Sequence, residues 1–332
     1  MKIGVEIAMG LRLLRTFTLR RVFNTARMRI CSLARIRKVR TMPESLSVEP
    51  ASVCNLQCPE CTLGGGRLQR RGQLMDPATF ENALQPLAPW LINCQFFFQG
   101  EPTLNPNLCA MIAKAHSQHI FTTMSTNGQT LTPELCRNLV NSGLDRLIIS
   151  VDGTTQDVYE KYRVGGRLQA VINGISNMAE ARHELGRHNP ELTVQFIVFR
   201  HNEHQIDEIR RLARQWGADN VILKTAQIEN TANAAELLPD NPKYSRYRLN
   251  ADGTITTKRN FSANCFRLRS TMVVAANGDV AACCYDKNCH HCIGNVNKTN
   301  IRTIWLNSQT EQLRRQVWLT KKGLDICHNC VG

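Results

Sequence analysis

From residue 45 onward the chain repeats one pattern: a short apolar run ends in polar or glycine-containing residues and is followed by a stretch with helical periodicity. Residues 45–53 (SLSVEPASV) alternate like a half-buried strand. Asp76-Pro77 then marks a helix start, with an acidic N-cap and proline at the first helical position. Residues 96–98, three phenylalanines, read as a buried strand closing on Gln99-Gly100-Glu101-Pro102. Residues 119–124 lead to Ser125-Thr126-Asn127-Gly128 and a helix from Thr132 that breaks near Gly143. Residues 147–151 (LIISV) lead to Asp152-Gly153 and helical segments through Gly186. Residues 193–199 lead to Arg200-His201-Asn202 and an amphipathic helix ending near Trp216-Gly217. Residues 221–223 form a sixth apolar run, closing on Lys224-Thr225. Six strands alternating with helices predict an α/β fold with a parallel sheet and right-handed crossovers, short of the eight units of a closed barrel.

Outside this stretch the pattern changes. Residues 231–262 are polar, turn-rich and aperiodic, as expected of a linker or a loop bridging two domains. From Cys265 the sequence reads as a hairpin, TMVVAA and VAACC around Asn277-Gly278-Asp279, since Asn-Gly is a strong hairpin signal. The domain boundaries read this way are 1–44, 45–230, 231–262 and 263–332.

Charge is concentrated in the first segment. Eleven Lys or Arg and the single acid Glu6 lie in residues 1–40, so +10 of the formal +14 sits there. Ile7, Leu11, Leu14, Val22, Ile30 and Leu33 recur between the arginines at roughly helical spacing. Such a basic amphipathic arm either packs on the body of the protein or contacts an anionic membrane surface. Nucleic acid is not expected as a partner, because the arm carries one aromatic type, Phe17 and Phe23, and no binding motif. The 42% hydrophobic and 20% charged content is ordinary for a globular protein. No apolar run is long enough to span a bilayer, and no secretory signal is apparent, so a cytoplasmic protein, at most peripheral to the membrane, is expected.

Fourteen cysteines are many for a reducing compartment and sparse for a disulfide scaffold. Cys31, Cys94, Cys109 and Cys136 stand singly among apolar neighbours and read as small buried hydrophobes. Cys54, Cys58 and Cys61 instead lie within eight residues. Thiolates favour iron–sulfur clusters, zinc or copper(I), and three of them can hold three corners of a 4Fe–4S cluster while the fourth iron stays open. A zinc knuckle lacking a nearby fourth ligand is the competing reading.

The octapeptide CNLQCPEC resembles the cysteine loop of the radical S-adenosylmethionine (SAM) enzymes. That resemblance implies a partial (β/α)6, TIM-like barrel, a 4Fe–4S cluster on Cys54, Cys58 and Cys61, and SAM chelated by the open iron. It further implies reductive cleavage of SAM to methionine and a 5′-deoxyadenosyl radical, fed by an external one-electron donor of flavodoxin or ferredoxin type. Gln99-Gly100-Glu101-Pro102 resembles the family's Gly-Gly-Glu-Pro turn, so Gly100 and Glu101 are expected at the SAM amino group, with Gln99 a departure. Ser125 and Asn127 lie at a polar strand end that suits a SAM pocket, while the resemblance assigns Ser150 and Asp152 to the strand-four position at the ribose or carboxylate and Arg163 to one near the carboxylate.

Cys265, Cys283 and the terminal Cys327-His-Asn-Cys330 can form a four-thiolate site, for which ligand count alone leaves zinc and a 4Fe–4S cluster equally open. Cys265, twelve residues, Gly278, four residues and Cys283 resemble the opening of a SPASM/twitch extension, which implies an auxiliary 4Fe–4S cluster in a small cysteine-rich C-terminal domain. Cys284 leaves the ligand choice open. Cys289-His290-His291-Cys292 departs from the pattern and reads as a second metal site, a redox pair or loop residues. Tyr285 and Asp286 are candidate electron and proton partners. Many relatives modify peptides, so a peptide substrate leads, with a lipid-linked or other small substrate at the membrane as the alternative. A non-catalytic metal protein is the reading from another class.

Overall fold

The computed structural model describes residues 10–229, 234–258, 265–320, 323–328 and 330. Its centre is the run of apolar strands. β1 (Ser45–Val48), β2 (Asn93–Phe96), β3 (Phe121–Thr126), β4 (Arg146–Ser150), β5 (Glu191–Val198) and β6 (Asn220–Thr225) pair in parallel, each with the next in sequence. Such strands are covered on both faces, which is why they read as continuous hydrophobic runs. Leu46, Val48, Phe96, Met124, Leu147, Ile149, Val194 and Phe196 are all fully buried.

The described residues begin with helical residues 10–16 (α1) and α2 (Leu19–Leu33). The crossovers carry α3 (Pro77–Leu84), α4 (Leu108–Ser117), α5 (Pro133–Asn141), α6 (Gln156–Glu160), α7 (Leu168–Glu184) and α8 (Ile206–Gln215). Asp76 caps α3 by accepting from the Thr79 N–H, and Thr132 caps α5 by accepting from the Leu135 N–H. Gly143 ends the α5 turn at φ +80°, a left-handed conformation that disfavours any side chain.

The sheet does not stop at β1. Residues beyond the barrel form α9 (Ala234–Leu237), a hairpin of β7 (Tyr247–Leu249) and β8 (Ile255–Thr257), then α10 (Arg267–Ser270) and β9 (Thr271–Val274). β9 lies parallel to β1, with Ser45 opposite Thr271 and Val48 opposite Val274. β10 (Asp279–Ala281) and β11 (Gly294–Asn295) continue antiparallel, giving one nine-stranded sheet. The expected hairpin turn is present: Gly278 sits at φ +86° and the Asn277 Oδ1 accepts from the Asp279 N–H. The C-terminal segment therefore covers an edge that would otherwise present unpaired backbone groups. α11 (Ile301–Leu306), α12 (Ser308–Thr320) and α13 (Asp325–His328) complete this end.

Residues 234–258, expected as linker, contribute to a second apolar cluster with Leu56, Cys58, Tyr162, Phe199, Ala226 and Ile228, to which Ala234, Leu238 and Tyr247 belong. Cys54 and Cys61 pack against it. Polar composition hid these three isolated anchors, and they shield the cysteine loop from water.

Candidate functional site

In parallel βα architectures the strand C-termini converge on one edge, and loops there carry the chemistry. The cysteine loop follows β1 at that edge. Its conformation is fixed by close backbone packing. A Cβ on Gly64 would lie 2.5 Å from the Cys58 amide nitrogen and 2.7 Å from its carbonyl oxygen, so only glycine lets residues 62–66 fold back over Cys58. The Gln57 N–H donates to the Val164 carbonyl at 3.0 Å, and the Glu229 N–H donates to Glu60 Oε2 at 2.6 Å.

The turn after β2 packs directly on this loop. Gly100 has φ +71°, and a Cβ there would stand 2.1 Å from the Ala51 carbonyl oxygen. The Glu101 N–H donates to the Val53 carbonyl at 2.8 Å. The buried Glu101 carboxylate is a junction: Oε1 accepts from Thr103 Oγ1 (2.7 Å), the Thr103 N–H (3.2 Å) and Thr126 Oγ1 (2.6 Å), while Oε2 accepts from the Asn127 N–H (2.8 Å). Burial pushes its carboxyl above the ordinary range, against these four donors. Gln99, the departure from the expected turn, donates its N–H to Glu49 Oε1 at 3.2 Å.

Three N–H donors point at sulfurs of the Cys54–Cys61 loop. The Leu56 N–H stands 3.4 Å from Cys54 Sγ, Asn127 Nδ2 stands 3.7 Å from the same sulfur, and Arg163 Nη1 stands 3.8 Å from Cys58 Sγ. Asn127 Nδ2 also donates to Asn55 Oδ1 at 2.7 Å. Arg163 is held by Asp152, its Nε and Nη2 each 2.6 Å from Asp152 Oδ2, and Asp152 Oδ1 accepts from the Ile197 N–H at 2.6 Å. Asp152, fully buried, is thus spent on Arg163 and β5. Ser125 is half-buried in β3, and Ser150 is buried at the end of β4. The expected site residues therefore gather at one edge, with Asp152 and Arg163 paired to each other.

The chemistry of the donor set tests whether a cluster fits. Burial pushes the Cys54 thiol up to about 11 and raises Cys58 as well, so these two thiols, when free, are protonated at neutral pH. Bound iron reverses that preference, and the N–H groups already aimed at the sulfurs are the kind that tune iron–sulfur clusters. An all-thiolate loop with such donors fits an iron–sulfur cluster. No disulfide joins any of the described cysteines.

Sequence reasoning missed Glu49. Its carboxylate, fully buried just beyond β1, accepts from both Nη atoms of Arg70 and from the N–H groups of Gln99 and Ala276 (3.2 and 3.0 Å). One side chain thus ties the cysteine-loop strand, the glycine turn and the C-terminal hairpin. Its signal was a lone acid in an otherwise apolar strand continuation.

At the C-terminal end, Cys265, Cys283, Cys327 and Cys330 line one cavity, with Leu268 and Val317 among its apolar walls. The Arg267 Nη1 stands 3.0 Å from Cys284 Sγ, which turns the adjacent thiol toward a cation. Burial raises Cys283 and Cys284. The four expected thiols share this one cavity, and the Tyr285 N–H stands 3.4 Å from Cys283 Sγ. The Cys289–Cys292 segment does not converge: His290 Nε2 meets Gln69 Oε1 (3.1 Å), His291 Nε2 meets Asp325 Oδ1 (2.6 Å), and Cys292 Sγ faces the Gly294 carbonyl (3.1 Å). Among the described residues no group of three or more His, Cys, Asp or Glu is placed to hold a single metal ion. The Asp286 carboxylate is buried and accepts from the N–H groups of Ala282, His290 and His291 (3.2, 2.8 and 3.1 Å), while Tyr285 lines the cysteine cavity beneath Arg267. A second cavity of about 270 Å³ opens between the two cysteine regions, lined by Thr62, Arg67, Glu229, Lys287, Asn288 and His290 among others.

Fold and site together define a parallel βα protein with a thiol-cluster loop at the strand C-termini and a second thiol set behind it. The radical SAM superfamily model matches residues 48–213, and the SPASM model, an iron–sulfur cluster-binding domain, matches residues 265–331. The chain belongs to the radical SAM superfamily. Its cofactors are accordingly a 4Fe–4S cluster and SAM, with auxiliary iron–sulfur binding in the SPASM region. It is 29% identical over 181 residues to mycofactocin maturase MftC of Mycobacterium ulcerans, covering 53% of this chain and 46% of that protein. It is 28% identical over 199 residues to the PqqA peptide cyclase of Ruegeria pomeroyi, covering 59% and 51%. The chain spans about half the length of the curated relatives it matches. In fold it is similar to Streptococcus suis SuiB, with TM-score 0.63 and 15% identity over 93% of this chain, covering 76% of the SAM-bound SuiB chain and 75% of the SuiB chain bound to the precursor peptide SuiA.

Proposed function

We propose that this chain is a radical SAM enzyme that modifies a peptide. The observation that carries the reading is the three-thiol loop at the strand C-termini, with N–H donors on its sulfurs and the Gly100 turn packed against it. Cys54, Cys58 and Cys61 would hold the SAM-binding cluster, and Cys265, Cys283, Cys327 and Cys330 an auxiliary one. Bound there and reduced by an external flavodoxin- or ferredoxin-like donor, the first cluster would supply the one electron needed for reductive cleavage of SAM and hydrogen-atom abstraction from a substrate.

The chain's own residues do the rest. Arg163 sets a positive charge beside Cys58, and Asn127 holds the loop at Asn55. The remaining acceptor capacity of Glu101 Oε2, together with Ser125 and Ser150, suits the polar groups of SAM. The apolar cluster around Leu56, Phe199 and Tyr247 excludes water. The cavity between the two thiol sets, polar and edged by Arg67 and Lys287, suits a peptide backbone. The relatives, a maturase and a peptide cyclase, support this substrate class. A cytoplasmic setting, where thiols stay reduced, suits the two cluster sites.

The test is anaerobic incubation of the reconstituted protein with SAM and dithionite. Equal amounts of 5′-deoxyadenosine and methionine support the reading. Methionine without 5′-deoxyadenosine, or neither, contradicts it.

A further inference from the structure

The basic arm has two distinct faces. One is sewn to the barrel. Arg21 is 3% exposed, and its guanidinium donates to the carbonyls of Thr16, Ala88, Gln118 and His119 at 2.6–2.9 Å. Met28 and Ser32 are buried on the same face of α2. Asn24 exchanges two 2.9 Å hydrogen bonds with the Met42 backbone, and Arg29 pairs with Glu44 at 3.3 Å.

The other face is apolar and open. Leu19 (79% exposed), Phe23 (71%), Ile30 (64%) and Leu33 (85%) stand outward, with Val22 at 45%. At 3.6 residues per turn these positions, with Ala26, form one stripe about 100° wide, directly opposite Arg21 and Met28. The exposed Arg20 and Arg27 run along one border of the stripe and Arg29 along the other. Leu11, Leu14 and Phe17 extend the apolar exposure, and no Asp or Glu occurs from residue 10 to residue 43.

We propose that α2 lies flat on an anionic lipid bilayer, its apolar stripe in the headgroup–acyl boundary and its bordering arginines on lipid phosphates. Charge complementarity selects this occupant: a stripe edged on one side by Arg20 and Arg27, and on the other by Arg29 above its partner Glu44, matches a negatively charged surface. α2 has fifteen residues, and no helix of the described residues is long and apolar enough to cross a membrane, so the contact is interfacial.

The attachment also sets an orientation. Ala88, Gln118, His119 and Glu44 all lie just before strands β1 to β3, and Arg12 meets Asp145, just before β4, at 3.5 Å. The arm therefore crosses the N-terminal edge of the sheet, opposite the cysteine loop. Docking through α2 turns the site toward the aqueous phase, so the bilayer anchors the protein and does not deliver the substrate.

The test is co-sedimentation of the full-length, cluster-loaded protein with vesicles of phosphatidylcholine alone or mixed with phosphatidylglycerol. Binding to the mixed vesicles that falls with salt, weakens at least about tenfold in Phe23→Glu/Ile30→Glu, and weakens about fivefold per arginine in Arg20→Gln/Arg27→Gln supports the proposal. Iron content and 5′-deoxyadenosine yield unchanged in these variants show that they fold, and keep this outcome separate from the catalytic reading. Equal partition onto both vesicle types, no binding at all, or stripe variants that bind like the parent overturns it. A lipid-independent dimer that the stripe variants dissolve, without vesicle binding, also overturns it and gives the stripe to a second copy.

Discussion

The guanidinium Nη1 of Arg163 stands 3.8 Å from the sulfur of Cys58, and the same guanidinium is locked by the buried carboxylate of Asp152. Burial works against the charge on Arg163, but Asp152 and then Cys58 outweigh it and hold its pKa above the ordinary value. A fixed positive charge beside a cluster thiolate favours the reduced, more negative cluster. Replacing Arg163 with Met should therefore shift the reduction potential of the first cluster to more negative values, read by potentiometric titration followed by electron paramagnetic resonance. An unchanged potential would remove Arg163 from the cluster's surroundings.

Because Asp152 and Arg163 form a buried pair, removing either partner leaves an uncompensated charge. Asp152→Ala and Arg163→Ala should each cost about 3–5 kcal/mol of stability, and the double variant less than the two together. Denaturant unfolding of the four proteins checks this. Additive costs would mean the two side chains act independently.

Glu49 joins three segments that are remote in sequence. Glu49→Ala leaves the Arg70 guanidinium, which also donates to the Lys287 carbonyl and lies over Phe98, without its carboxylate. The expected cost is again about 3–5 kcal/mol, with faster amide exchange at both Gln99 and Ala276. Exchange unchanged at Ala276 would show that β9 docks on β1 without help from this residue.

The hydrogen bond from His291 holds the Asp325 carboxyl below its ordinary value of 3.8. A depressed carboxylate contributes stability that is complete above that value and is lost as pH falls through the lower folded one. The pair is largely exposed, so Asp325→Asn should cost under about 1 kcal/mol at neutral pH. The difference should vanish as pH drops below the carboxylate range. Amide exchange across residues 323–328, which carry Cys327, measures it, and a difference that persists in acid would assign the effect elsewhere.

What could be read from the chain follows from how local each cause is. The run LIIS lies within β4 because a strand covered on both faces is apolar at its centre, and Asp76-Pro77 became a helix start because the cap is made within three residues. The pairing of β9 with β1 was not legible. The run TMVV announces a strand, but its neighbour depends on which sheet edge stands open after the barrel has formed. Asp152 and Arg163 were expected to meet SAM singly, and their mutual pairing needs the fold to bring two loops together. Leu238 and Tyr247 were lost in polar surroundings, although they help wall the cysteine loop.

The most direct test of two separate clusters on one sheet is the iron and sulfide content of anaerobically reconstituted wild type, Cys54→Ala and Cys265→Ala, each assayed for 5′-deoxyadenosine. We expect about eight irons in the wild type and about four in each variant. Cleavage of SAM should be lost in Cys54→Ala and retained in Cys265→Ala. Zinc in place of iron with no cleavage, or wild-type cleavage by Cys54→Ala, would contradict the account.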